Sequence, residues 1–280
     1  QRQDQGDVKL KLTNTVSSLC MRENYNSDIY HLQFTGTDVF DVGNPAVAWQ
    51  VLPGSEDIVE IAPREQGRAI DVRAKAPGTA LLSVTAEGYG TTVFPIEVSR
   101  GAISFVTVLA NDPTYTGEAI TPMMMVLSDN GLFLTEGVHY QVTFENNVRC
   151  GVARAEITDI GAGADPGDQA PRVEYFAIAP EVPEVSSLAA QAGEIRLSVA
   201  DLSDTGASGY EARYRLKGND EWASAPFGPG RTELEIRGLE TGEYEVQVRA
   251  FVDNTAADAP EEYQTVVYGI CGESRTVIVP

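Results

Sequence analysis

The stretch Glu243–Phe251, EYEVQVRAF, alternates apolar and polar residues without a break. Tyr244, Val246, Val248 and Ala250 share one face, and Glu245, Gln247 and Arg249 share the other. An extended chain sends successive side chains to opposite sides, so this pattern specifies a strand with one dry and one wet face. The same period recurs in YHLQF (30–34), RAIDVRA (68–74), ALLSVTA (80–86), HYQVTF (139–144), ARAEITDI (153–160), IRLSVA (195–200), GYEARYRL (209–216) and TELEIRGL (232–239). No window of about a dozen residues shows the stripe of an amphipathic helix. The segments between, such as APGT (76–79), SDNG (128–131) and FGPGRT (227–232), are rich in Gly, Pro, Asn, Asp and Ser, the residues that turns select. Short alternating strands with regular turn signals predict an all-β chain of antiparallel sandwiches.

At 280 residues, length alone suggests about two domains, but the strand pattern restarts twice. One strand ends near EVSRGA (97–102) and another near IAPEVPEV (178–185), a Pro-punctuated connection of the kind that joins domains. The expected division is therefore 1–99, 100–180 and 181–280, three tandem immunoglobulin-like β-sandwich domains. The pieces carry 8 basic against 13 acidic residues, 4 against 10 and 8 against 18, within a total charge of -21. None is a basic arm. Nucleic acid binding depends on neutralising phosphates and is disfavoured, as are anionic membrane surfaces.

No run of about 18 apolar residues marks a membrane-spanning segment. The polar start QRQDQGDVKL reads as a mature or trimmed terminus, without a signal-peptide pattern. No sorting or lipidation motif closes the chain, so an anchor, if the parent has one, is expected outside these residues. Cys20, Cys150 and Cys271 stand far apart. They offer neither the close pairs of structural zinc nor the dense, even set of a disulfide scaffold, and are expected to be free and mostly buried.

The last piece resembles a fibronectin type III domain through GYEARYRLKGNDEW (209–222), like that family's strand C, and TELEIRGLETGEYEVQVRAF (232–251), like its strands E and F; GESRTVIV (272–279) looks like strand G. The resemblance implies a tyrosine corner at Leu239 and Tyr244, with the Tyr244 hydroxyl bonded back to the turn. Two departures stand out. The Leu–Tyr spacing is one residue short, and Val199 occupies the place of a core Trp. No Arg-Gly-Asp tripeptide occurs. The first piece resembles a group 2 bacterial immunoglobulin-like domain in VAWQVLPGSEDIVEI (47–61) and VRAKAPGTALLSVTAEGYGTTVFPIEV (72–98). Trp49, Gly78, Thr79 and Ala80 match that pattern; Trp49 is expected as a plug between sheets and Pro77-Gly78 as a turn, while the amino-terminal third departs from the pattern. The middle piece resembles a repeat of Gram-positive surface proteins. Tyr115, Gly117, Ile120, Pro122, Leu134, Gly137, Tyr140, Asn146, Asn147, Gly151, Ala153, Ile157 and Gly161 fit, with His139 where the repeat carries Asp and Phe144 where it carries Tyr.

Candidate chemistry concentrates in HYQVTFENNVRCG (139–151), which holds a His, two Asn and a Cys, the parts of a papain-like site. A catalytic thiol needs a nearby base and a setting that lowers its pKa. With Tyr140, Val142 and Phe144 pointing inward, His139 is expected outward, Asn146 and Asn147 to form a turn, and Cys150 to open the next strand. His31 is expected as a solvated strand residue. Loops DVFD (38–41) and GADPGDQ (163–169) space carboxylates three apart without the series a calcium loop needs. GAGADPG (161–167) lacks the Lys-Ser/Thr of a phosphate loop. PMMM (122–125) reads as a strand entering the core. Trp222 and Tyr89 are the aromatics that could stack on a sugar, Trp222 being expected mainly in the core.

These readings lead to no catalytic residues, no metal, no cofactor and an unknown ligand-binding site. The expected function is a non-catalytic, extracellular or cell-surface stalk or adhesion module of a bacterial surface protein. Its partner would be an extracellular protein or glycan, and the chain itself a monomer. The alternative is an accessory, carbohydrate-binding region of a larger secreted enzyme.

Overall fold

The computed structural model describes residues 10–13, 18–20, 27–34, 46–64, 67, 69–87, 90–109, 113–160 and 170–280. They are all-β in architecture, with no α-helix among them. Each of the nine alternating runs read from the sequence has most of its residues on a strand. The chain forms two compact units. One comprises Gln1–Val106, Met125–Gln141 and Thr158–Pro171; the other comprises Thr107–Met124, Val142–Ile157 and Arg172–Pro280.

The first unit contains β1 (Leu10–Thr13), β2 (Ser18–Cys20), β3 (Ser27–Phe34), β4 (Val47–Val51), β5 (Val59–Arg64), β6 (Ala69–Ala74), β7 (Gly78–Ala86) and β8 (Gly90–Ser99). They make two four-stranded sheets, ordered β1-β3-β6-β5 and β2-β8-β7-β4. All neighbours are antiparallel except β2 and β8, which run parallel with Leu19 opposite Val98. Val59, Ile70, Val72, Leu82 and Ile96 fill the space between the sheets, as their alternation on β5 to β8 requires. Trp49 packs edge-on against Phe94, with ring centroids 6.3 Å apart. Its indole N–H donates to the Gly67 carbonyl at 2.8 Å. The expected plug is thus half-buried and held by its polar end.

The middle of the chain supplies β9 (Ile103–Val108), β10 (Met124–Ser128), β11 (Tyr140–Glu145), β12 (Gly151–Asp159) and β13 (Arg172–Ile178). β9 pairs with β10, and β11-β12-β13 form a three-stranded sheet. Strands β9 to β12 each contribute residues to both units. β12 buries Ala153, Ala155 and Ile157 in alternation. In the second unit Phe144 meets Phe176 edge-on at 6.2 Å, and Ala153, Phe176 and Ile178 gather Val108, Tyr115 and Ile120 around them. Of PMMM, Met124 is buried and opens β10, whereas Met123 is 72% exposed.

The rest of the second unit contains β14 (Val185–Gln191), β15 (Glu194–Val199), β16 (Gly209–Leu216), β17 (Ala223–Phe227), β18 (Glu233–Arg237), β19 (Gly242–Asp253), β20 (Val266–Tyr268) and β21 (Arg275–Val279). One sheet is β14-β15-β18, the other β17-β16-β19-β20 with β21 also on β19. Strand β19 carries the opening pattern into structure: Tyr244, Val246, Val248, Ala250 and Val252 are all buried. The first four face Ile195, Leu197 and Leu234 across the sandwich in a single core cluster.

The tyrosine corner requires a correction. Tyr244 is buried in the core, and among the described residues its hydroxyl makes no backbone hydrogen bond. The short Leu–Tyr spacing places Tyr244 at an inward position of β19, opposite Leu216 on β16 and Val277 on β21. The tyrosine that pins a loop is Tyr210, on β16. Its hydroxyl donates to the Ala200 carbonyl at 2.7 Å and accepts the Leu202 amide at 2.8 Å. Burial pushes its phenol pKa up, in keeping with a neutral hydroxyl serving as both donor and acceptor.

Tyr210→Phe keeps the ring and leaves the buried Leu202 amide unpaired. We expect a loss of about 1–3 kcal/mol in urea unfolding, against no measurable change for Tyr214→Phe.

Candidate functional site

The stretch 139–151 resolves into a turn, a strand and a second turn. His139 lies just before β11 and is 4% exposed, so the expectation that it points outward fails. The reason is local. The segment Thr135–His139 closes on itself: the His139 amide donates to the Thr135 carbonyl at 2.8 Å, and the Thr135 amide donates to His139 Nδ1 at 2.9 Å. The imidazole nitrogen accepts a main-chain N–H, a task an Asp carboxylate at this position can equally perform. That gives a physical reason for His to stand where the resembled repeat carries Asp.

Asn146 is the one non-glycine residue with positive φ among the described residues, at 56°, as the turn reading requires. Asn147 clasps another segment. Its Nδ2 donates to the Ile120 carbonyl at 3.0 Å, and the Ile120 amide donates to its carbonyl at 2.8 Å.

Cys150 begins a buried relay inside the second unit. Its amide donates to the Thr205 carbonyl at 2.8 Å, and its thiol lies 3.7 Å from Thr205 Oγ1. Thr205 ends the 3-10 turn Ser203–Thr205 and donates its hydroxyl to the Leu202 carbonyl at 2.7 Å. Arg149 Nη2 donates to the Asp204 carbonyl at 2.7 Å. Gly206 makes the approach possible. It has φ of 95°, and a Cβ there would lie 2.8 Å from the Cys150 carbonyl. Burial pushes the Cys150 thiol pKa up, opposite to what a nucleophile needs. His139 belongs to the first unit and Cys150 to the second, and each is engaged in a structural hydrogen bond.

Cys271 is half-buried, with Arg213 Nη1 3.9 Å from its sulfur. For Cys20 and His31 the strand backbone is described and the side chains are not. The loops 38–41, 161–167 and 163–169, and Tyr89, lie outside the described residues. Among the described residues no group of three or more His, Cys, Asp or Glu side chains is placed to hold a metal. No helix of the described residues is long and apolar enough to cross a membrane.

Trp222 lies on the outer face of the β17-β16-β19-β20 sheet instead of in the core. The Arg215 guanidinium sits 4.5 Å from its ring centroid and that of Arg213 sits 5.5 Å away. The pattern continues across the sheet: Arg215 pairs with Glu245 at 2.6 Å, Arg249 pairs with Glu211 at 2.5 Å, and Arg249 lies 3.8 Å from the Tyr268 centroid. Alternation sends these charges outward opposite one another, with Glu211 facing Arg249 and Arg215 facing Glu245 in the register. The ring that could stack on a sugar is occupied by arginines of its own sheet.

The sequence reading missed two features. One is the relay, since nothing in SDTG signals that a 3-10 turn will meet Cys150. The other is the pair Tyr175 and Tyr263, whose ring centroids lie 5.9 Å apart.

Comparison with known proteins finds no matching family model and no matching curated protein. Among solved structures, domains FN1–FN3 of chicken CNTN1 align over 97% of this chain and 98% of theirs, at 14% identity and a TM-score of 0.31. Domains A168–A170 of titin align over 96% of this chain and 98% of theirs, at 12% identity and a TM-score of 0.25. Likeness at this level carries no functional inference.

Two outcomes follow from this geometry. Removing the acceptor with His139→Ala should lower stability by about 1–3 kcal/mol, and His139→Asp should recover most of the loss; equal loss in both variants would refute the capping role. In thiol labelling resolved by mass spectrometry, Cys271 should react in the native protein, while Cys150 should react only on unfolding.

Proposed function

We propose that residues 1–99, 100–180 and 181–280 are three tandem immunoglobulin-like modules of a bacterial cell-surface protein. Together they form a non-catalytic stalk or adhesion segment, presented outside the cell to a protein or glycan partner. The observation that carries this reading is how the connections between the modules are fastened. Within the first unit, the Asp129 amide donates to the Ala102 carbonyl at 2.8 Å and Ser99 Oγ donates to Asp129 Oδ1 at 2.9 Å. Within the second, the connection at 178–183 buries Ile178, Ala179, Pro180 and Pro183, and the Ala179 amide donates to the Pro113 carbonyl at 2.9 Å. Gly269 comes so close to the Pro180 carbonyl that a side chain there would collide with it.

Exposed linkers let domains swing. Connections that are hydrogen-bonded within their own unit are harder to pull out, which suits a load-bearing spacer. The commitment of His139 and Cys150 to structural bonds supports the non-catalytic reading. The charge of -21 supports a soluble, self-repelling surface and a partner other than nucleic acid.

Antibodies raised against residues 181–280 should label intact cells of the source organism. Signal that appears only after permeabilisation would overturn the placement. Turnover on a hydrolase panel that is lost in Cys150→Ala would overturn the non-catalytic half.

A further inference from the structure

Strand β13 turns Phe176 and Ile178 into the core, so Tyr175, the residue before Phe176, projects from the opposite face. There its ring meets Tyr263, the last residue of a 3-10 turn at Glu261–Tyr263, with the rings tilted by 42°. Both rings border a cavity of about 300 Å³, also lined by Val108, Glu262, Thr265 and Val267. The whole cavity lies within the second unit. Its size is at the lower end of the range for small-ligand sites. Its walls hold two phenol rings and a carboxylate, and no Lys or Arg among the described residues.

Glu174 precedes Tyr175. It is half-buried and makes no ion pair or hydrogen bond among the described residues. Burial pushes its carboxyl pKa up. The Tyr263 phenol is also pushed up, first by burial and then by the negative charges of Glu174 and Glu262. Of the two carboxylates, Glu262 lines the cavity itself, whereas Glu174 lies on the Phe176 face of β13, opposite Ala155. Elsewhere in this unit, the buried Glu211 and the half-buried Glu245 each have an arginine; Glu174 has none.

Ring faces carry negative quadrupole potential and attract cations within about 6 Å. Two such faces beside the Glu262 carboxylate, which makes no ion pair among the described residues, complement an organic cation. A hard metal ion needs at least about six grouped oxygens, and no such cluster exists among the described residues. A neutral sugar would stack on the rings but leave the Glu262 carboxylate uncompensated. We propose that the Tyr175–Tyr263 cleft binds an alkylammonium group, carried either by a free solute or by a lysine side chain.

The test uses the full 280-residue chain and two-dimensional amide NMR. The probes are choline, Nα-acetyl-lysine methylamide with its side-chain ammonium free, and the neutral tert-butyl isostere of choline. Saturable shifts at Tyr175 and Tyr263 are expected with at least one cation and not with the isostere. The tighter cation identifies the source, free solute or lysine. Tyr263→Leu and Glu262→Gln should each weaken binding about tenfold, while Tyr263→Phe should retain it. Glu262 is exposed, so its substitution tests the site even if Tyr263→Leu unfolds the chain; unshifted amides on β16 and β19 confirm the fold in each variant. Equal binding of the neutral isostere, absence of saturable shifts with both cations, or unchanged affinity in Glu262→Gln would each overturn the proposal.

Discussion

The second unit depends on a short line of buried hydrogen bonds that starts at Cys150 and ends in the sandwich core. The thiol approaches the Thr205 hydroxyl, which donates to the Leu202 carbonyl. The Leu202 amide in turn donates to the Tyr210 hydroxyl, which donates to Ala200. Each bond contributes only about 0.5–1.5 kcal/mol net, but an unpaired buried partner costs more than the bond supplies. Such a chain is favourable only when complete. It joins the start of β12 to the loop between β15 and β16, and it ends on Tyr210, one of the most deeply buried side chains.

The buried connection at 178–183 reinforces this. Backbone bonds from Ala179 and Tyr115, and the close passage of Gly269 past Pro180, leave the chain little freedom where a proline-marked linker would otherwise be mobile. Residues from the middle of the sequence are thereby built into the same compact unit as the carboxy-terminal sandwich. The outward face of that sandwich, with its arginines laid over Trp222 and Tyr268, then reads as a self-satisfied surface, whereas the cleft at Tyr263 retains uncompensated charge.

The strands were legible because their signal is local. A period of two in GYEARYRL or EYEVQVRAF needs no knowledge of any distant residue. Asn146 was legible for the same reason, since its side chain stabilises its own backbone. What depends on meeting partners was not legible. The pattern places Tyr140, Val142 and Phe144 inward, but whether His139 belongs to the strand or to the preceding turn depends on the Thr135 amide finding Nδ1. The tyrosine corner failed because a spacing one residue short changes the point at which Tyr244 enters the core. The pairing of Tyr175 with Tyr263 joins segments far apart in sequence, with no motif to announce it.

Native-state hydrogen exchange tests most directly whether the Cys150 relay and the sandwich form one cooperative structure. The Cys150 amide should exchange only through the same opening as the core amides of β16 and β19, with the same dependence on denaturant. Exchange of the Cys150 amide at the rate of a surface loop, while β16 and β19 stay protected, would contradict it.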